Sequence, residues 1–167
     1  HGKTVLYRAR PEIELNTRIR DLVFLARENR VKPGLDDKVL ISWNALMISG
    51  LTYASRALKD TDPELSERAR SVAVQTFDTL VKKANNPEFR LNATIQKGHA
   101  RGTGFLDDYA FMAKAALDLA RFSKNTTHYE KMAQRWLAVI VKHFKDPTGL
   151  GFYFTSDDQE KLIQRPK

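Results

Sequence analysis

Five stretches of the chain alternate apolar and polar residues with helical spacing. Residues 11–30 place Leu15, Ile19, Leu22 and Ala26 on one face with Arg and Glu elsewhere, and Pro33-Gly34 closes that stretch. Residues 43–58 are apolar round the whole axis and carry no charge before Arg56, so this helix is expected to be buried on every side. Asp62-Pro63-Glu64 supplies an N-cap, a first-turn proline and an early acid for an amphipathic helix ending near Lys83. Residues 88–98 are more extended and finish at Gly98. A second all-apolar helix is predicted from Thr103 to Phe122. Thr127-His128-Tyr129-Glu130 reads as a capping box opening a last amphipathic helix to Phe144. Gly151–Thr155 and Leu162-Ile163 flank a polar turn and predict a small β-hairpin near the C-terminus.

The order is amphipathic, buried, amphipathic, buried, amphipathic, and Trp43 and Phe105, which open the two buried stretches, lie 62 positions apart. An α/α toroid needs this alternation, because its inner helices are packed all round and its outer helices face water on one side. Two and a half hairpins make an arc rather than a ring. A helical bundle with two central helices satisfies the same pattern. The fold class expected is all-α, with residues 1–167 forming part of one toroid domain.

Composition narrows the functions. The chain has 167 residues, 42% of them hydrophobic, with a mean hydropathy of −0.47. That suits a globular domain, and no apolar run reaches the roughly 18–20 residues of a membrane span. Cysteine is absent, which excludes disulfides, Cys-ligated zinc and thiol chemistry within the chain. The net charge is +8, half of it carried by residues 1–35 and the rest spread thinly. Nucleic-acid binding wants a concentrated basic stripe, so a basic solvated surface is the simpler reading. The four histidines, His1, His99, His128 and His143, share no helical face or ligand spacing, so no metal is expected. Nothing calls for another cofactor: there is no nucleophile elbow and no glycine-rich phosphate loop. The chain opens on His1 and stops at Arg165-Pro166-Lys167, as an internal segment of a longer chain would.

Candidate chemistry gathers where the two apolar helices begin. Asp36-Asp37-Lys38 precedes the first, and Ser42-Trp43-Asn44 opens it. Trp43 beside Asn44 at a cavity mouth suits stacking on a sugar ring with hydrogen bonds to its hydroxyls. The simpler reading is that Ser42 or Asn44 caps the helix, Trp43 packs in the core and the acids are solvated. Asp107-Asp108-Tyr109 opens the second helix. Glycosidic bonds are cleaved between two carboxylates, and Asp36 or Asp37 with Asp107 or Asp108 would supply a pair. The competing reading is that these acids complement the helix dipole.

Taken in order, Leu35–Ile48, Gly104–Phe111, and Gly151–Thr155 with Arg165-Pro166-Lys167 resemble three blocks of the thioredoxin-domain-containing family that includes spermatogenesis-associated protein 20. Ala45 departs from the family's usual glycine and Asp107 from its common glutamate. The resemblance implies a longer parent in which a thioredoxin-like domain precedes a six-hairpin glycosidase-like α/α toroid. By analogy with related hydrolases and epimerases, Asp108, Asp107 and Asp37 would be the catalytic candidates. Asp36, Trp43, Asn44, Tyr109, Arg165 and Lys167 would line the substrate mouth. The partners so implied are a carbohydrate ligand and the remaining hairpins and thioredoxin-like domain of the parent. A non-catalytic interaction module is the alternative. Apolar inner faces left uncovered in this segment would drive self-association.

Overall fold

A computed structural model describes residues 17–123, 125–160 and 162–167. The chain divides into two compact units, His1–Asp36 and Asp37–Lys167. In the first, helix α1 spans Thr17–Glu28 and leaves Ile19, Leu22, Val23, Phe24 and Leu25 exposed. Its expected start at residue 11 lies outside the described residues. Lys32 pairs with Glu28 at 2.5 Å just after the helix.

Among the described residues, the second unit holds four helices and a three-stranded antiparallel sheet. Helix α2 runs Ile41–Leu58, α3 Pro63–Ala84, α4 Leu106–Ala120 and α5 Thr126–His143. Helix α2 packs on α3 and α4, and α4 on α5. Two bonds fix how α2 and α4 run. Near their starts Ser42 N donates to Asp108 Oδ1 at 2.9 Å, and further along Tyr53 Oη donates to Asp118 Oδ1 at 3.0 Å. Eleven residues of α2 therefore match ten of α4, and the two helices lie parallel and in register.

Local chemistry explains the boundaries. Asp62 accepts from Leu65 N at 3.0 Å, with Pro63 and Glu64 following, so the N-cap expected there is present. Helix α5 starts at Thr126 with no side-chain cap bond, so the expected 127–130 capping box does not form. Thr127 sits inside the helix, and the Thr126 hydroxyl donates back to the carbonyls of Ala120 and Ser123 instead.

The core explains why the helices approach closely. On α4, Ala113, Ala115, Ala116 and Ala120 are buried beside Met112 and Leu119. Between α3 and α5, Phe77 meets Tyr129 and Trp136 edge-on, at centroid distances of 5.4 and 6.0 Å. The Trp136 indole donates to Asn85 Oδ1, satisfying the polar handle of a fully buried ring. Helix α4 is thus mostly buried, as the sequence predicts, with Lys114 and Leu117 exposed. Helix α2 is not: Ile41, Ala45 and Ile48 are buried, but Trp43, Leu46, Met47 and Tyr53 are exposed. Its neighbours within the unit occupy only one side of it.

The β structure also departs from expectation. Strands β1 (Val39–Leu40), β2 (Asn92–Gln96) and β3 (His99–Thr103) form the sheet, and the hairpin turns at Lys97-Gly98. Both turn residues have positive φ, 49° and 80°, as a two-residue hairpin loop requires. The hairpin expected at residues 151–163 is not formed. Tyr153 N donates to Phe144 O, Phe154 N to Pro166 O, and Phe154 O accepts from Leu106 N. The Phe154 ring stacks on Phe105 at 4.9 Å, so this stretch seals the start of α4 rather than pairing with itself. The sheet and this segment thereby lie at the end where α2 and α4 begin.

Gly104 joins β3 to α4. A Cβ built there would lie 2.8 Å from the Leu91 carbonyl oxygen, a backbone atom that cannot swing away. Gly104→Ala is expected to destabilise the protein by about 1–2 kcal/mol, read by denaturant unfolding. An unchanged midpoint would show that the β3–α4 link can shift.

Candidate functional site

The end shared by α2 and α4 collects most of the candidate residues. Asp108, in the first turn of α4, is buried, with 2% of its surface exposed. Its Oδ1 accepts from Ser42 N at 2.9 Å and its Oδ2 from Phe105 N at 2.8 Å. One carboxylate thus satisfies an N-terminal amide of each helix, where the positive ends of both dipoles point. Burial pushes its pKa up to about 6, opposed by the Phe105 amide, helped by the Asp107 charge and opposed again by Ser42. Both oxygens are therefore engaged in capping. Asp107 is half-buried, and its Oδ1 accepts from Asp108 N at 3.0 Å.

Tyr109 is fully buried, so its ring cannot serve as a stacking platform. It packs against Phe144, and its hydroxyl accepts from Leu91 N at 2.9 Å and Arg90 Nε at 3.1 Å. Trp43 is the opposite case, with 69% of its surface exposed on the first turn of α2. Asn44 is half-buried and donates to the Leu40 carbonyl at 2.8 Å, while Ser42 is held through its amide, so neither side chain caps α2. Asn44 also lines a groove with Val39, Thr79 and Ile95. Asp37 is exposed and accepts from Gln96 on β2 at 3.0 Å. Asp36 is exposed and belongs to the first unit.

Arg165 and Lys167 are drawn into a cluster at the chain end. Arg165 Nη2 donates to the carbonyls of Thr155 and His143, and its guanidinium lies over Tyr153 at 4.3 Å. Lys167 pairs with the buried Asp146, whose carboxyl is held well below the ordinary carboxylate range by Lys167 and Thr148. Both cations hold this segment in place.

Sequence reasoning missed Arg90. Its guanidinium makes a two-pronged pair with Asp158 and donates to Ser156 Oγ and the Tyr109 hydroxyl. Arg90 holds Asp158 far below its ordinary pKa and is itself raised by that bond. No local pattern marks Arg90, because its partner lies 68 positions away. His143, Asp157 and Asp158 bring three ligand-type atoms within 4.8 Å, a grouping invisible in the spacing of the histidines alone. His143 Nδ1 is 2.8 Å from Asp157, and Arg90 already supplies the positive charge beside Asp158.

The candidates thus separate into two kinds. Asp108, Tyr109, Arg165 and Lys167 are engaged in holding the fold, whereas Trp43 and Asp37 face water. Among the described residues no helix is long and apolar enough to cross a membrane. No family model matches the chain. It is 33% identical over 146 residues to spermatogenesis-associated protein 20 of Mus musculus, an alignment covering 86% of this chain. The human protein of the same name is 31% identical over 148 residues, covering 81% of this chain. These are homologues. An uncharacterised protein of Caenorhabditis elegans is 25% identical over 147 residues. The chain spans 18%, 17% and 20% of the lengths of these three relatives, respectively.

Proposed function

We propose that this chain is a non-catalytic interaction module built of helical hairpins, part of an α/α toroid within a longer thioredoxin-domain-containing polypeptide. The observation that carries this reading is the exposed apolar face of α2, with Trp43, Leu46, Met47 and Tyr53 in one stripe. Contiguous apolar surface of this kind marks an interaction site. The same reading makes Asp108 a double helix cap, since a general acid or base must reach a substrate proton and this carboxylate is enclosed.

The test is a double substitution, Leu46→Lys with Met47→Lys, at two exposed positions. The expected result is an unchanged unfolding midpoint and a clear drop in binding of an environment-sensitive apolar dye, the remainder residing on exposed apolar positions such as those of α1. Undiminished dye binding would place the apolar surface that binds it elsewhere and sink the reading.

A second reading, carbohydrate binding at the α2–α4 end, is favoured by the exposed ring of Trp43 beside Asn44 and the Asp37–Gln96 pair. Trp136 is fully buried, so Trp43 is the exposed one of the chain's two tryptophans and a built-in reporter. Saturable quenching of Trp43 by one class of saccharide, absent in Trp43→Phe, would support this reading. A flat response across monosaccharides and uronic-acid oligosaccharides would remove it.

A further inference from the structure

Two turns of the chain share one pattern. After α3, Asn86-Pro87-Glu88-Phe89 reverses the chain, with Phe89 N donating to Asn86 O at 2.9 Å and Glu88 N to Asn86 Oδ1 at 3.0 Å. After α5, Asp146-Pro147-Thr148-Gly149 does the same, with Gly149 N on Asp146 O at 3.0 Å and Thr148 N on Asp146 Oδ1 at 2.9 Å. An antiparallel bridge closes each turn, Asn85 with Leu91 and Lys145 with Phe152. The fourth position of each is left-handed, at φ 62° for Phe89 and 86° for Gly149. Glycine takes that conformation freely, whereas a bulky side chain in it is strained. The first turn therefore carries phenylalanine at a position that suits glycine.

The contacts on either side of the turn account for it. The Phe89 ring lies under the Arg135 guanidinium at 3.4 Å and beside Trp136 at 6.4 Å, which fastens the turn to α5. The next residue reaches the other way. Arg90 is tied to Asn86 through both its N–H and its carbonyl, at 2.8 and 2.9 Å, so the turn sets where its side chain points. Its guanidinium grips Asp158 and Ser156. Those two residues belong to segment 152–158, whose Phe154 carbonyl and ring close the start of α4.

We propose that residues 86–91 form a strained catch on segment 152–158. With the catch closed, Arg90 holds the segment against the start of α4, and Phe89 is kept left-handed between that grip and α5. When the segment lifts, Arg90 is released, Phe89 relaxes, and the end where α2 and α4 begin opens. Backbone strain persists only where its surroundings over-determine it, and here both sides of the turn are anchored. The strain offsets part of the closing contacts, which leaves the segment able to open. The device is independent of both readings above, since it governs access to that end whichever ligand the end receives.

Unfolding midpoints and amide exchange in one set of variants test it. Phe89→Gly and Phe89→Ala both lose the ring and differ in what a left-handed backbone costs them. The expected result is a higher midpoint for Phe89→Gly, the reverse of the order at an unstrained position. In an Asp158→Asn background that advantage should vanish, because the catch no longer holds residue 89. The Asp158 side chain is 42% exposed, so this variant keeps its fold. Exchange at residues 153–158 should quicken about tenfold in Asp158→Asn and in Phe89→Ala, and stay at the wild-type rate in Phe89→Tyr. Equal midpoints for Phe89→Gly and Phe89→Ala would remove the strain and overturn the proposal. A glycine advantage that persists undiminished in Asp158→Asn would overturn it as well, by showing that Asn86 alone sets the turn. Exchange at 153–158 that ignores Phe89→Ala would do the same, since turn and segment would then be uncoupled.

Discussion

Asp108→Ala is expected to lower the unfolding free energy by about 2 kcal/mol at pH 7, because one carboxylate caps two helices and each cap contributes about 1 kcal/mol. The loss should grow to about 3 kcal/mol at pH 5, and the sign of that change is diagnostic. Burial raises the folded-state pKa of Asp108 to about 6, above the ordinary value of 3.8. The folded protein therefore binds a proton more tightly than the unfolded chain does. Stability from this group is fully present below the unfolded pKa and is lost as the pH rises through about 6. Wild type should gain about 1 kcal/mol on going from pH 7 to pH 5 through this group, and Asp108→Ala should not. Below pH 4 the trend reverses. Asp146 and Asp158 have depressed pKa values, so their contributions are present above the ordinary carboxylate value and are lost on acidification. Denaturant titrations of both proteins at pH 7, 5 and 3 check each part. A pH-independent difference between them would mean that the carboxylate is better hydrated than its burial implies.

Tyr109→Phe is expected to cost about 2–3 kcal/mol, although it removes a single oxygen. That oxygen accepts from the buried Leu91 amide and from Arg90 Nε, and phenylalanine leaves both donors without it. The substitution should also loosen the Arg90–Asp158 pair, so amide hydrogen exchange should quicken around residues 156–158. A sugar-stacking tyrosine would behave in the reverse manner, keeping stability and losing ligand. Unchanged stability in Tyr109→Phe would contradict the structural assignment of this residue.

These two residues show where sequence reading succeeds and where it stops. The helices were legible because their signals are local: Asp62-Pro63-Glu64 marks the start of α3, and alternating apolar positions mark the faces of α3 and α5. The β-hairpin was misplaced because Gly151–Thr155 looks strand-like but bonds to Phe144, Pro166 and Leu106, partners set by tertiary packing. The hairpin that forms turns at Lys97-Gly98, a short signal inside a polar stretch. Acids at a helix start were visible for Asp107 and Asp108. Whether Asp108 faced a cavity or an amide depended on Ser42, 66 positions away. The exposure of Trp43 was equally hidden, since an apolar helix reads as buried whether or not its neighbours are all present.

Thiol labelling of Met47→Cys in the intact polypeptide tests the central claim, that the α2 face is where this protein makes contact. The position is exposed and uncharged, and these 167 residues hold no other cysteine, so labelling is read at that position by peptide mapping. The account predicts slow reaction with a maleimide in the intact polypeptide at working concentration. Reaction should be fast at the same position in the isolated 167-residue chain, where Met47 is exposed. Fast labelling in every state would mean that nothing occupies the face, and would contradict the account.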